Sequence, residues 1–215
     1  MRLESLEAIL LDLDGTLIES HGVLWDTYVS FLRLHDRNPS AAEFAELDGP
    51  SIPEIVARLR EAHALAEPVP TLEAEYRAVL VREYPDAPAA PGADELLSGL
   101  KDRFRVGLVT SAPSDLAERA IRRRGWADRF DVVITGDDGP AKPAPDLYLA
   151  ALAGLALGPE SALAVEDSAN GVLAAAAAGL PVVGVSALQQ RGLQLQEAGA
   201  VRVVADLREL AELLV

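Results

Sequence analysis

Apolar and polar positions along this chain form patterns that predict strands and helices in turn. Ala8–Leu11 is a continuous apolar run that ends at an aspartate. Comparable short runs, each ended by polar or turn-forming residues, follow at 105–110, 131–135, 162–166, 181–185 and 201–204. Such runs are typical of strands that are buried on both faces of a parallel sheet.

Segments with helical periodicity separate these strands. The pattern predicts helices at 93–100, 114–124, 145–156 and 169–178, a further helix from about 189, and a last one at 207–214. Ser114 is the expected N-cap of the second of them. Strands that alternate with helices imply right-handed crossovers. We therefore predict an α/β fold with a Rossmann-like parallel sheet that carries helices on both faces.

The segment from Glu19 to Glu83 has a different character. Its apolar residues recur at helical spacing, and prolines within 38–40 and 67–70 predict breaks between helices. Three prolines and a glycine in 84–92 favour a semi-rigid connector that leads back to the sheet. We predict a sheet domain of residues 1–17 and 89–215, with a small α-helical domain of residues 18–88 inserted after the first strand.

Composition limits the partners. The net charge of −15 makes nucleic acid a poor partner. The absence of cysteine excludes thiol catalysis, zinc–thiolate sites and disulfides. The acidic N-terminus does not resemble a signal peptide, and the alanine-rich run at 172–185 is interrupted and too short to span a bilayer. We expect a cytoplasmic protein, a monomer or homodimer, that does not bind membranes.

Candidate chemistry begins directly after the first strand. Asp12 and Asp14 are two residues apart, so both point to the same side where the strand ends. That edge of a parallel sheet is where open α/β folds bind ligands. A turn or capping pair is the competing interpretation. The functional interpretation is a site for a hard cation such as Mg²⁺, with one carboxylate as nucleophile and the other as proton donor.

Later strands end in further polar groups. Thr110 and Ser111 offer hydroxyls for a phosphate oxygen, although a Ser/Thr turn explains them equally well locally. Glu166 and Asp167 form a second acidic pair, for which a helix cap is the local alternative. Lys142 lies between prolines and is one of only two lysines, so a single fixed ammonium is expected to balance a carboxylate and phosphoryl oxygens.

Together these segments resemble the haloacid dehalogenase superfamily, in the branch with a helical cap that includes phosphoglycolate phosphatase and beta-phosphoglucomutase. The four matching segments are Asp12–Thr16, Thr110, Lys142–Asp146 and Glu166–Gly171. The resemblance covers essentially the whole chain and implies that residues 18–88 form the cap. Relatives often have Asn after the threonine, where this chain has Ser111.

The resemblance implies a role for each matched residue. Asp12 is expected to attack phosphorus, and Asp14 to act as the general acid and base. Mg²⁺ is expected on Asp12, the Asp14 carbonyl, Asp167 and Glu166. The expected contacts to phosphate and substrate are Leu13, Gly15, Thr110, Ser111, Lys142, Ser20, His21, Gly49 and Ser51.

The expected activity is Mg²⁺-dependent hydrolysis of a small phosphomonoester, such as a sugar phosphate or phosphoglycolate, through an aspartyl-phosphate. A sugar phosphomutase like beta-phosphoglucomutase is the main alternative, and a non-catalytic binding protein is an alternative of another class. Dehalogenation is disfavoured because relatives with that activity lack the second acid, which is Asp14 here. A cap without lysine also lacks the Schiff-base residue of the phosphonate-cleaving relatives.

Overall fold

The computed structural model describes residues 5–47 and 50–214 and divides into two compact units. The sheet unit consists of the chain up to Glu19 together with the chain from Pro88 onward. The helical unit is Ser20–Ala87. The sequence-based boundaries at 17/18 and 88/89 thus differ from the unit boundaries by one or two residues.

A parallel sheet of six strands forms the sheet unit. Its strands are β1 (Ala8–Leu11), β2 (Arg105–Val109), β3 (Val132–Ile134), β4 (Ala162–Glu166), β5 (Val182–Val185) and β6 (Arg202–Val204). Their spatial order is β3-β2-β1-β4-β5-β6. All four side chains of β1 are fully buried, as expected for the central strand of a sheet that is covered on both faces. The predicted α/β fold is therefore confirmed.

Among the described residues, six α-helices accompany this sheet: α5 (Ala93–Leu100), α6 (Ser114–Arg123), α7 (Asp146–Leu155), α8 (Ala169–Ala177), α9 (Gln189–Ala198) and α10 (Leu207–Leu214). Helix α7 packs on β2 and β3, α8 on β4 and β5, and α9 on β5 and β6. Burial of their apolar faces against the strands supplies the main favourable free energy of folding.

The helical unit contains α1 (His21–Leu34), α2 (Ala41–Ala45), α3 (Ile52–His63) and α4 (Val69–Glu83). Its core is aromatic at the contact of α1 with α4, where the rings of Phe31 and Tyr76 meet edge to face with centroids 5.3 Å apart. Aromatic pairs of this geometry add about 0.5–1.5 kcal/mol to the free energy of area burial.

The structure differs from two local predictions in detail. Ser114 is the first residue of α6 and not its N-cap, which is Pro113. The predicted break at 67–70 is shorter than expected, because α4 already begins at Val69. Pro70 lies in its first turn, where the missing N–H costs no helical hydrogen bond. None of the described helices is both long enough and apolar enough to cross a membrane.

Candidate active site

The candidate site lies where β1, β2 and β4 end side by side. Leu11 is in register with Leu108 on β2 and with Val165 on β4. The residues that follow these positions therefore emerge at one edge of the sheet. The N–H of Asp12 still donates to the carbonyl of Val165 at 3.1 Å, which fixes Asp12 beside Glu166. The parallel register is thus what brings the two acidic segments together.

Lys142 lies at the centre of this edge and is buried. Its Nζ donates to Asp12 Oδ1 at 2.6 Å, to Glu166 Oε1 at 2.6 Å and to the Val109 carbonyl at 2.8 Å. An ammonium has three N–H donors, and these contacts use all of them. The ammonium therefore holds Asp12 and Glu166 in place, and any additional phosphoryl contact has to replace one of the three bonds.

Glu166 is fully buried and has a second donor that the sequence did not reveal. The hydroxyl of Tyr148, on α7, donates to Glu166 Oε1 at 2.7 Å. The Tyr148 ring also lies 5.3 Å from Lys142 Nζ, measured to its centroid. The Ser168 hydroxyl donates to Glu166 Oε2 at 3.3 Å, and a buried carboxylate with such partners is far less costly than an unpaired one. Tyr148 thus belongs to the same hydrogen-bonded network as Asp12, Lys142 and Glu166.

The pKa values of this network move in the directions that burial and charge dictate. The pKa of Asp12 lies well above its usual range, because burial and the charges of Glu166, Asp167 and Asp14 outweigh the attraction of Lys142. Burial alone lowers the pKa of Lys142, but the charges of Asp12 and Glu166 overcome it, so the net shift is upward. The cluster therefore holds more negative charge than Lys142 alone balances.

The donor set suits a divalent cation. Asp12, Glu166 and Asp167 each present a carboxylate oxygen, and these oxygens lie within 4.8 Å of one another. Hard cations such as Mg²⁺ take oxygen ligands of this kind. A bound cation also offsets the excess negative charge that raises the pKa of Asp12. The residues present therefore fit the predicted metal.

The turn after β1 approaches the cluster closely. Gly15 has φ +82°, and a Cβ built on it would lie 2.1 Å from Asp167 Oδ2. Only glycine allows both that backbone conformation and that approach. Asp14 precedes it in the same turn and is half-buried. Leu13 is buried, and its carbonyl accepts from the N–H groups of Leu17 and Ile18.

The hydroxyls after β2 have distinct local roles. Thr110 is buried, and its Oγ1 accepts from the N–H of Ala112 at 3.0 Å. Since a hydroxyl has one donor as well as its acceptor lone pairs, the O–H of Thr110 can still donate to an anion. Ser111 is exposed, and its Oγ accepts from the N–H of Lys142 at 3.4 Å. Ser111 therefore also ties down the segment that carries Lys142.

Asp167 has a cationic partner that was not predicted. The guanidinium of Arg191, near the start of α9, contacts both the carboxylate and the main-chain carbonyl of Asp167. The helix cap that competed with the functional interpretation here is supplied by Ser168, whose hydroxyl accepts from the N–H of Gly171 at 3.0 Å. Asp167 therefore does not serve as the N-cap of α8.

The remaining predicted contacts fall in the helical unit. Ser20 is buried and precedes α1, and His21 is exposed with its ring edge to face on Phe44 at 5.1 Å. The Ser51 hydroxyl and N–H both donate to Glu54 at 2.9 Å, so this side chain serves the N-terminus of α3. Gly49 lies outside the described residues.

Comparison with known proteins identifies the family. The sequence model of the haloacid dehalogenase-like hydrolase family matches residues 6–179 of this chain. The chain belongs to the haloacid dehalogenase-like hydrolases. The family expected from the four motif segments is thereby confirmed.

Relatives of this hydrolase carry phosphatase names. It is 35% identical over 198 residues to validoxylamine A 7'-phosphate phosphatase of Streptomyces hygroscopicus, covering 82% of this chain and 84% of that protein. It is 31% identical over 220 residues to phosphoglycolate phosphatase of Nitrosococcus oceani, and the match covers 97% of this chain and 96% of that protein. It is 29% identical over 186 residues to a bifunctional riboflavin kinase/FMN phosphatase of Arabidopsis thaliana. That match covers 85% of this chain but only about half, 49%, of the Arabidopsis protein.

A solved structure gives the same picture of the fold. The crystal structure of a Thermotoga maritima protein, provisionally assigned as a beta-phosphoglucomutase, superposes with a TM-score of 0.82 at 29% identity. The match covers 97% of this hydrolase and 98% of that chain. This hydrolase is therefore an enzyme of the phosphatase type, similar to phosphoglycolate phosphatases and to phosphoglucomutases.

Proposed function

We propose that this hydrolase is a Mg²⁺-dependent phosphatase of small phosphomonoesters that forms an aspartyl-phosphate on Asp12. The observation that carries the proposal is the contact of the buried Lys142 ammonium with both Asp12 and Glu166 at 2.6 Å, beside Asp167 at the same sheet edge. This arrangement keeps Asp12 next to a fixed positive charge, which is what a carboxylate that attacks an anionic phosphoryl group requires.

The cation is assigned to the acidic cluster. Asp12, Asp167 and Glu166 would hold Mg²⁺ together with the main-chain carbonyl of Asp14. The bound cation supplies positive charge that neutralises the phosphoryl oxygens and the surrounding carboxylates. Its requirement follows from the charge of the cluster, which otherwise repels the anionic substrate.

The protein side chains carry the chemistry in two displacements. An oxygen of the Asp12 carboxylate attacks phosphorus, and the bond from phosphorus to the ester oxygen breaks. Asp14, protonated, donates its proton to that departing oxygen and releases the alcohol. Asp14 then removes a proton from water, which attacks the same phosphorus and breaks its bond to Asp12. Inorganic phosphate leaves, and Asp12 is regenerated as a carboxylate.

The remaining groups orient the phosphoryl group. The O–H of Thr110, whose oxygen already accepts from Ala112, donates to a phosphoryl oxygen. Ser111 lies in the loop after β2, and Leu13 and Gly15 lie in the turn after β1. We assign contacts with the phosphoryl group to Ser111 and to the backbone of Leu13 and Gly15. Lys142 contributes its charge and keeps Asp12 aligned. Because phosphoryl transfer depends mainly on alignment and charge neutralisation, these contacts account for most of the rate enhancement.

The substrate is a small phosphomonoester such as a sugar phosphate or phosphoglycolate. The names of two relatives, phosphoglycolate phosphatase and validoxylamine A 7'-phosphate phosphatase, support that class. We assign substrate selection to the helical unit, through Ser20, His21, Gly49 and Ser51. Since the Ser51 hydroxyl already donates to Glu54, we expect Ser20 and His21 to contribute more to selection than Ser51 does.

A phosphomutase is the second candidate, favoured by the similarity to the Thermotoga maritima structure. The stretches 19–24 and 47–52 contain His21 as their one cationic candidate, and 19–91 contain no lysine. A mutase has to hold the second phosphate of a sugar bisphosphate, which is costly without a nearby cation. One arginine of the helical unit, Arg58, donates to the Glu46 carbonyl at 3.2 Å and is thus already engaged within that unit. Net hydrolysis is therefore the favoured reaction.

One assay series tests the proposal. The enzyme is supplied with a panel of metabolite phosphates in Mg²⁺ or in excess EDTA, beside Asp12→Asn, and phosphate release is measured. We expect release only by the wild type with Mg²⁺.

In parallel, β-glucose 1-phosphate with catalytic bisphosphate is followed by ³¹P NMR. Release in EDTA or by Asp12→Asn would refute the mechanism, and glucose 6-phosphate that accumulates faster than inorganic phosphate would establish the mutase.

A further inference from the structure

Arg191 makes a two-point contact with a single residue of the proposed metal cluster. Its Nη2 donates to Asp167 Oδ2 at 2.9 Å, and its Nε donates to the main-chain carbonyl of Asp167 at 3.0 Å. Arg191 lies on α9, outside the four segments that matched the family. The planar guanidinium presents its N–H groups in a fixed geometry, so these two bonds fix the Asp167 side chain relative to its own backbone.

The same carboxylate also packs against the turn after β1. A Cβ on Gly15 would lie 2.1 Å from Asp167 Oδ2 and 3.1 Å from Oδ1. The carboxylate therefore packs against the Gly15 backbone and bonds to Arg191. Lys142 positions the other two acids of the cluster, Asp12 and Glu166. Each acid of the cluster thus has a cationic partner, and for Asp167 that partner is Arg191.

We propose that Arg191 is a positioning residue for the metal site: it holds Asp167 in the orientation from which its carboxylate joins Asp12 and Glu166 as a ligand. This inference rests on the proposed Mg²⁺ site. In this role Arg191 acts through Asp167. Partners of metal ligands typically contribute 10- to 100-fold to metal affinity.

The positive charge of Arg191 acts against this benefit, because it repels a divalent cation. The Arg191 side chain is 34% exposed, so solvent screens its charge substantially. Its two hydrogen bonds do not weaken to the same extent, since the Asp167 side chain is only 12% exposed. We therefore expect the gain from a fixed ligand to exceed the loss from charge repulsion.

The test measures metal binding directly. Mn²⁺ serves as the probe, because the electron paramagnetic resonance signal of unbound Mn²⁺ gives the bound fraction without any turnover. The wild type is compared with Arg191→Ala, Arg191→Lys and Asp167→Asn. Arg202→Ala is the matched control, since Arg202 is an exposed arginine on β6 whose guanidinium lies 3.8 Å from a carboxylate oxygen of Glu209. Thermal unfolding in EDTA checks that each variant is folded.

We expect Arg191→Ala to weaken Mn²⁺ binding by about 10- to 100-fold. Arg191→Lys recovers only part of this loss, because an ammonium cannot make both contacts in the same geometry. Arg202→Ala binds like the wild type. In turnover, Arg191→Ala needs more Mg²⁺ for half-maximal rate but approaches the wild-type kcat at saturating Mg²⁺.

The outcomes separate this inference from the function on which it rests. Mn²⁺ binding by Arg191→Ala that equals or exceeds that of the wild type overturns the positioning role, provided that Asp167→Asn has lost affinity. If Asp167→Asn binds Mn²⁺ as well as the wild type does, the proposed metal site itself is wrong. An Arg202→Ala variant that loses as much affinity as Arg191→Ala also overturns the inference, because the loss is then not specific to the contact of Arg191 with Asp167.

Discussion

The Nζ of Lys142 lies 2.6 Å from Asp12 Oδ1, although the two residues are 130 positions apart in the chain. Both side chains are buried, and Glu166 shares the same ammonium. Burial of one cation with two carboxylates leaves a net negative charge, and the neighbouring Asp167 is paired with Arg191. This excess charge is the physical argument for the proposal that a divalent cation binds here before an anionic substrate does.

The variants Asp14→Asn and Asp12→Asn are expected to lose activity in different ways. Asp14→Asn keeps the carbonyl proposed as its metal contact but cannot donate a proton. We expect turnover of alkyl phosphates to fall by roughly 10²- to 10⁴-fold, the usual contribution of a general acid. The loss should be smaller with p-nitrophenyl phosphate, whose leaving group needs little protonation. Steady-state rates on both substrates measure this, and equal losses on both would argue against the acid role.

Tyr148 supports the network through its hydroxyl. Tyr148→Phe keeps the ring beside Lys142 but removes the donor to Glu166 Oε1. A hydrogen bond to a charged group contributes about 1.5–3 kcal/mol, and in a chain of this size each kcal/mol shifts Tm by about 2–4 °C. We expect a lower Tm, a several-fold lower kcat and a nearly unchanged KM.

Tyr76→Phe is the matched control for that variant, because Tyr76 is also a buried tyrosine but belongs to the core of the helical unit. We expect it to keep the wild-type kcat. A Tyr148→Phe enzyme with the kcat and Tm of the wild type would show that the hydroxyl contact does not contribute.

The raised pKa of Tyr76 leads to a prediction of how the stability of the protein depends on pH. Burial raises its pKa from 10.0 to about 12. Between these values the unfolded chain loses the phenolic proton while the folded protein keeps it, so stability falls as the pH rises through this window. Tyr76→Phe should therefore lose less stability than the wild type between pH values of about 9 and 11.5. Urea unfolding across this range is the measurement, and parallel curves for the two proteins would contradict the assignment.

Tyr28 gives a useful contrast in the same unit, since its pKa is also raised to about 12. Burial is the first cause and the hydrogen bond that its hydroxyl donates to Glu43 is the second. The Tyr28 hydroxyl also accepts from the N–H of Ser40 at 2.8 Å. Tyr28→Phe should therefore reduce stability already at neutral pH, whereas Tyr76→Phe should not.

The sequence was sufficient to predict the fold and the residues that meet at the sheet edge. Apolar runs that end in Asp12, Thr110 and Glu166 indicate strands, and a parallel sheet necessarily brings the carboxyl ends of its strands to one side. Lys142 was identifiable because lysine is rare in this chain and this one lies between prolines. Local pattern and topology together were enough for these residues.

Other contacts depend on tertiary packing that no local pattern encodes. Tyr148 occupies an apolar position of α7 and looks like an ordinary core residue until its hydroxyl is found on Glu166. Arg191 looks like a solvated residue of a polar helix. Ser114 is not the N-cap of α6, and both its hydroxyl and its N–H donate to Asp137, which lies in a later loop. The large majority of buried hydroxyls have a hydrogen-bond partner, and that tendency was the one available signal for Tyr148.

The most direct test of the central claim is to trap the phosphorylated Asp12. The enzyme is quenched during turnover with Mg²⁺ and treated with borohydride, which reduces an acyl phosphate of aspartate to homoserine, and the peptide that contains residue 12 is analysed by mass spectrometry. We expect homoserine at position 12 in the wild type, and none in EDTA or without substrate. Turnover that continues with no modification at Asp12, or with modification at another carboxylate instead, would contradict the account.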